Sequence, residues 1–79
     1  MSPTIFREGP YRFFFFSREE SRMHVHVASS EGEAKFWLEP RLELAENYGL
    51  SEREVTTVVK ILKRRGDEIR TAWRSHFAS

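Results

Sequence analysis

His24 and His26, two residues apart, with Lys35 and Trp37 shortly after them, are the side chains of this sequence best placed to do chemistry. In an extended chain side chains alternate between faces, so the two imidazoles project to the same side, about 7 Å apart. Imidazole titrates near neutrality, and two imidazoles with a nearby cation are the equipment of metal-independent RNA cleavage. One ring would act as base and the other as acid, while Lys35 or Arg12 stabilised the charge building on phosphorus. The same rings could start a metal site, but nothing in the sequence supplies the remaining ligands. Glu33 is read as facing the core, and His76 is far along the chain. No metal and no cofactor are therefore expected. Trp37 points to a different use of the surface, because exposed aromatics rimmed by charge are the usual anchors of protein interfaces.

Residues 23–38 position these side chains, as two strands folded on Ser29-Ser30-Glu31-Gly32. That turn sets Ala28 opposite Glu33, Val27 opposite Ala34, His26 opposite Lys35, Val25 opposite Phe36, His24 opposite Trp37 and Met23 opposite Leu38. Opposed residues share a face. One face collects Met23, Val25, Val27, Ala34, Phe36 and Leu38, all apolar; the other collects His24, His26, Lys35 and Trp37. A slip of one residue would set histidines against Phe36 and Leu38, so the pattern itself specifies the register.

The 79 residues suffice for one domain, read as spanning 1–79, with a thin margin of stability. With no cysteine, neither disulfides nor thiolate ligands are available, and seven Phe, two Trp and two Tyr must supply the core. The N-terminus lacks the pattern of a signal peptide, and no apolar run is long enough to cross a bilayer. A cytoplasmic protein without membrane contact is expected. Residues 1–50 carry six basic and eight acidic groups, residues 51–79 seven basic and four acidic. This mild asymmetry permits an acidic partner for the C-terminal part without demanding one.

Residues 3–7 read as an opening strand, punctuated by Glu8-Gly9-Pro10, and residues 11–17 as a second. The run Tyr11-Arg12-Phe13-Phe14-Phe15-Phe16 is apolar on both faces, the mark of a strand covered on both sides. An even-numbered connection near residues 18–21 would set Phe13 and Phe15 beside the histidines; an odd one would set Arg12, Phe14 and Phe16 there. Glu39-Pro40 ends the fourth strand. Residues 41–48 then read as a short helix, with Leu42, Ala45 and Tyr48 on one side and Gly49 as its cap. Ser51-Glu52-Arg53-Glu54 is a capping box. From it Val55, Val59, Leu62, Gly66, Ile69, Trp73 and His76 recur at helical spacing, broadened by Val58 and Phe77. We read one long helix continuing through Gly66, where the glycine would allow close approach to a strand; the competing reading makes Arg65-Gly66-Asp67 a cap and turn. The fold class is α+β: a small antiparallel sheet of about four strands, order β-β-β-β-α-α, packed on one long C-terminal helix preceded by a short one. Lys60, Lys63, Arg64, Arg65, Arg70 and Arg74 spread around the helix and read as its solvated exterior rather than as a nucleic-acid stripe.

Residues 3–17, the His24-Val25-His26-Val27 run, residues 34–40, Gly49-Leu50-Ser51 and the ending from Trp73 to Phe77 resemble a bacterial family of short proteins, domain-of-unknown-function family 4160. Members commonly carry two prolines before the first histidine, where this chain has Arg22-Met23. The resemblance implies an arrangement often encoded beside another small protein, similar to a toxin–antitoxin pair, and implies no established active site. We therefore expect an interaction module that uses Trp37, His24, His26 and Lys35, with the neighbouring gene product or a second copy as partner. The alternative is a ribonuclease-type toxin with His24 and His26 as acid and base, assisted by Lys35 and Arg12, for which nucleic acid is the partner.

Overall fold

The computed structural model describes residues 4–16 and 22–77. Along the chain lie β1 (Thr4–Glu8), β2 (Tyr11–Phe14), β3 (His24–Ser29), β4 (Gly32–Trp37), β5 (Glu43–Tyr48) and α1 (Glu52–Phe77). Each strand pairs antiparallel with its sequence neighbour, in the order β1-β2-β3-β4-β5. The α+β class and the single long helix are as expected; the strand count is five rather than about four. The connection expected at residues 18–21 lies outside the described residues.

The central hairpin has the register that its hydrophobic pattern demands. All pairs from His24↔Trp37 to Ala28↔Glu33 are present, and Leu38 N donates to Met23 O at 3.0 Å beyond them. In the preceding pair Phe13 meets Val27 and Phe14 meets His26, so Phe13 joins the core face while Arg12 and Phe14 stand on the histidine side. β2 is thus an inner strand, buried on both faces.

Residues 43–48 form β5, where a short helix over 41–48 was expected. Two helical turns gain little alone, whereas the open edge of β4 offers a full ladder. A bulge interrupts the strand. Lys35 pairs with Glu46 and Phe36 with Leu44, so Ala45 is the extra residue, and the two-residue alternation breaks there. Gly49, expected as a helix cap, instead turns the chain from β5 into α1 at φ 101°. A side chain at Gly49 would lie 2.7 Å from Glu31 O, so the glycine lets the β3–β4 turn press against this corner. Asn47 closes the corner by accepting from Leu50 N at 3.1 Å and donating to Leu50 O at 3.0 Å.

The capping box forms as its sequence requires: Glu54 N donates to Ser51 Oγ at 3.1 Å and Ser51 N to Glu54 Oε1 at 3.0 Å. From this start α1 lays Val58, Ile61, Leu62, Gly66, Ile69 and Trp73 on the sheet. They meet Phe13, Phe15, Val25, Val27, Phe36 and Leu38 in one apolar cluster. Ile61 is on this buried stripe, and His76, expected there, is exposed. The helix keeps its apolar phase past Gly66, but it is kinked rather than straight, because Arg65 leaves helical geometry at φ −112°, ψ 19°. The kink falls beside the one glycine of the helix, where the helical preference is weakest.

Polar clamps fasten the helix to the sheet on both sides of Gly66. Arg64 and Arg65 both bond the Glu8 carboxylate, Arg65 Nη1 at 3.0 Å. The Arg65 guanidinium also lies 3.5 Å from the Phe6 ring centroid and bonds Glu68. Further on, Arg70 Nε donates to Glu39 Oε2 at 2.7 Å and its Nη2 to Leu38 O at 3.3 Å. Three of the basic residues expected on the helix exterior thus hold the helix in place, while Lys60, Lys63 and Arg74 are exposed.

These clamps give two expected outcomes. A Cβ at Gly66 would meet Arg70 Nη1 at 2.6 Å, not a strand, so it is the arginine head that a larger side chain displaces. Gly66→Ala should stay within about 1 kcal/mol of wild type, helix preference offsetting the displacement. Gly66→Leu should cost about 1 to 3 kcal/mol in urea unfolding by evicting Arg70 from Glu39 and Leu38. The Glu8 carboxyl is held below its ordinary value of 4.5, first by its hydrogen bond to Arg65 and then, against some desolvation, by Arg64. A depressed carboxylate stabilises the fold above its unfolded value and ceases to as pH falls through the folded one. Wild type should therefore melt above Glu8→Gln at neutral pH, and the gap should close as pH drops below about 4.5.

Candidate interaction face

The helix covers one face of the sheet, and the strand alternation delivers a separate set of side chains to the other. Across that second face the paired positions form rows. Arg7, Arg12, Ala28, Glu33 and Tyr48 make one; Phe14, His26, Lys35 and Glu46 make the next; His24, Trp37 and Glu43 follow. Glu33, read from the sequence as facing the core, is exposed here beside Lys35. The residue alternates with Ala34, which is buried, so its own strand dictates the outward position.

Aromatic and cationic groups interleave on this face. The Arg12 guanidinium lies 4.4 Å from the Phe14 ring centroid, and its Nε donates to Thr4 Oγ1 at 2.8 Å. Phe14 stacks on His26 at 5.5 Å, and Phe16 meets the same imidazole edge-on at 4.3 Å. Trp37 receives two cations, the Arg22 guanidinium at 4.2 Å and Lys35 Nζ at 4.4 Å, worth about 0.5 to 1 kcal/mol each where water still reaches them. Arg22 is itself steered by Glu39 O at 2.9 Å and Glu43 at 3.8 Å. Phe16 is 43% exposed and Tyr48 66%, while His26, Lys35 and Trp37 are half-buried.

His24 departs from the other three. Its exposure is 0%, with Trp37 at 5.5 Å, His26 at 5.2 Å and the helix residue Trp73 at 5.1 Å between ring centroids. Its Nδ1 is 2.6 Å from Arg22 O; a carbonyl oxygen can only accept, so Nδ1 carries a proton. The two histidines are neighbours, as their spacing requires, yet only His26 is open to solvent. The sequence contained no sign of this difference, because one of the rings packed on His24, that of Trp73, comes 49 positions later.

Among the described residues no three His, Asp or Glu side chains converge in a way that would hold a metal ion. Arg12 and Lys35, the two cations named for phosphate chemistry, stand on the same face as His26. Phe16 and Tyr48 carry the largest exposed apolar area on this face, and neither was singled out from the sequence. For Phe16 the signal was present in the odd-numbered alternative for the β2–β3 connection; for Tyr48 it was hidden by the helix assignment. No helix among the described residues is long and apolar enough to cross a membrane.

A family model, the domain of unknown function DUF4160, matches residues 11–74, and the chain belongs to that family. The matched stretch runs from β2 to the last turns of α1 and holds every residue of the face except those of β1. No curated protein and no solved structure matches the chain.

The contrast between the histidines sets an expected outcome. His24→Ala should lower unfolding stability by about 2 to 4 kcal/mol, since it leaves a cavity beside Trp73 and an unmet carbonyl at Arg22. His26→Ala, at a half-exposed position, should cost about 1 kcal/mol or less. Chemical denaturation of the two variants measures both.

Proposed function

We propose that this chain is a protein-interaction module whose contact surface is the sheet face opposite α1, serving as one half of a cytoplasmic toxin–antitoxin-like pair. The observation that carries the reading is a sheet face that bears exposed Phe16 and Tyr48 and half-buried Trp37 among Arg12, Arg22, Lys35, Glu33, Glu43 and Glu46. Large aromatics in a charged rim bind well because they bury much area and lose little side-chain entropy. Trp37 is the anchor, with His26 and Lys35 beside it. His24 supports them from beneath, packed between Trp37 and Trp73. The pairing with a second small protein rests on the family resemblance alone.

The reading is favoured over a metal-independent ribonuclease by the state of the two imidazoles. A general acid or base must reach the atom that it serves. His24 is enclosed and its Nδ1–H is committed to Arg22 O, which leaves His26 without an accessible imidazole partner for a two-histidine mechanism.

Co-expression with the product of the adjacent gene, followed by affinity capture and calorimetry, tests the assignment. Trp37→Ala should weaken association by about 2 kcal/mol or more, the scale of an anchoring residue. RNA incubated with wild type in the presence of chelator should stay intact. Cleavage that falls about 100-fold in His26→Ala while capture survives would establish the ribonuclease instead.

A further inference from the structure

We propose that the cleft between the β1–β2 turn and α1 binds a small apolar carboxylate, with the Tyr11 hydroxyl and the Lys60 ammonium as its polar contacts. The cleft lies on the helix side of the sheet, so the inference is independent of the interaction face. Tyr11 carries the argument. It is 6% exposed and its ring belongs to the apolar cluster, yet its hydroxyl bonds to none of the described residues. Among those residues no fully enclosed side-chain oxygen or nitrogen lacks a partner, so the part of Tyr11 that stays accessible includes this oxygen. A buried tyrosine ordinarily finds a partner for its hydroxyl. The next core positions on the same side of the chain are Phe13 and Phe15, and a third phenylalanine would fill position 11 without an unmet donor. Burial, and after it the Glu54 carboxylate, raise the phenol above its ordinary value of 10.0. Near neutrality the group is therefore a donor, and what it lacks is an acceptor.

The cleft has a volume of about 310 Å³ and is bounded by Pro10, Tyr11, Thr57, Lys60, Ile61 and Arg64. Ligand sites of this kind are mainly apolar, with a few polar groups that fix orientation. Here Pro10, Ile61 and the Tyr11 ring supply the apolar part. Most of the polar groups around it are already committed. Glu8 also borders the cleft, but one of its carboxylate oxygens accepts from Arg64 and the other from Arg65. The Thr57 hydroxyl donates to Arg53 O at 3.1 Å. Lys60 is the exception, exposed and bonded to none of the described residues. An unmet hydroxyl donor and an unpaired ammonium beside apolar surface select a ligand with acceptor oxygens, a negative charge and a hydrocarbon body. A carboxylate brings the oxygens and the charge in one group. A phosphate dianion would call for a second uncommitted cation, and Arg64 is held by Glu8. In the proposed complex the carboxylate accepts from the Tyr11 hydroxyl and faces Lys60, while the hydrocarbon part covers Pro10 and Ile61.

Titration of the full, isotope-labelled chain with phenylacetate and with hexanoate, followed by amide NMR, tests the inference. At least one of the two acids should shift the amides of Gly9, Tyr11 and residues 57–64 in a saturable way, with a dissociation constant of about 1 mM or tighter. The uncharged 2-phenylethanol should bind about tenfold more weakly than phenylacetate if that is the acid bound, as should 1-hexanol for hexanoate. Tyr11→Phe should weaken binding about tenfold, the worth of one charge-assisted hydrogen bond, and should leave the urea unfolding midpoint unchanged because the lost hydroxyl bonds to no described residue. Lys60→Gln should weaken binding about threefold, as befits an exposed charge. The inference is overturned if neither acid gives saturable shifts up to about 20 mM. It is overturned equally if the alcohol binds as tightly as its acid, or if Tyr11→Phe binds like wild type. A loss of stability in Tyr11→Phe would assign the hydroxyl a role inside the fold and overturn it as well.

Discussion

A sheet has two faces and this chain has one long helix, and most of the structure answers to that inequality. On the covered side the solution is an apolar interior: Val58, Leu62, Ile69 and Trp73 meet Phe13, Phe15, Val25, Val27 and Phe36, nearly all fully enclosed. On the other side there is no second layer among the described residues, so the chain shields its sheet with its own long side chains. Arg22 and Lys35 lie against Trp37, and Arg12 lies against Phe14. Cationic stems cover apolar surface while their heads stay in water. The result is partial shelter, enough to bury Phe14 and insufficient for Phe16 or Tyr48.

The two sides are coupled at one end of the sheet. Trp73 belongs to the helix and packs on Phe15 at 5.3 Å, yet it also reaches the ring of His24, which points to the helix-free face. Through His24 the helix end touches Trp37 and His26. The orientation of the accessible aromatics is thereby tied to the docking of α1, and the clamps from Glu8 to Arg64 and Arg65 and from Glu39 to Arg70 bear on the face that they do not touch.

Local pattern revealed those parts of the fold that local pattern determines. The register of β3 and β4 followed from the turn at residues 29–32 and from alternation, since a slip of one residue would set a histidine against Phe36, and the start of α1 followed from Ser51 and Glu54. The helical stripe was legible through Gly66 because its spacing persists, although the kink at Arg65 was not. Residues 41–48 misled for a physical reason: Leu42, Ala45 and Tyr48 fit a helix as well as a strand interrupted by a bulge, and only the presence of a free edge on β4 decides between them. Glu33, expected to face the core, stands outward because it alternates with the buried Ala34. For the candidate site, the sharing of a face by His24, His26, Lys35 and Trp37 was visible, but their exposures were not. His24 packs on Trp73 from the far end of the chain, and no short-range rule connects them.

Both rims of the sheet are irregular. In β1 the pairing shifts between Thr4 and Phe6, and in β5 it shifts around Ala45, so each outer strand carries a bulge. Glu43 and Glu46 add charge to the second. An outer strand ordinarily presents a row of amides and carbonyls on which another extended chain can grow, and bulges and charges disrupt such templates. Lateral extension is therefore hindered at both ends of this sheet, which is not closed into a barrel. Strand-by-strand accretion, the route to fibrous aggregates, meets a distorted ladder on either side, and the small chain can keep a sticky aromatic surface without inviting unlimited polymerisation.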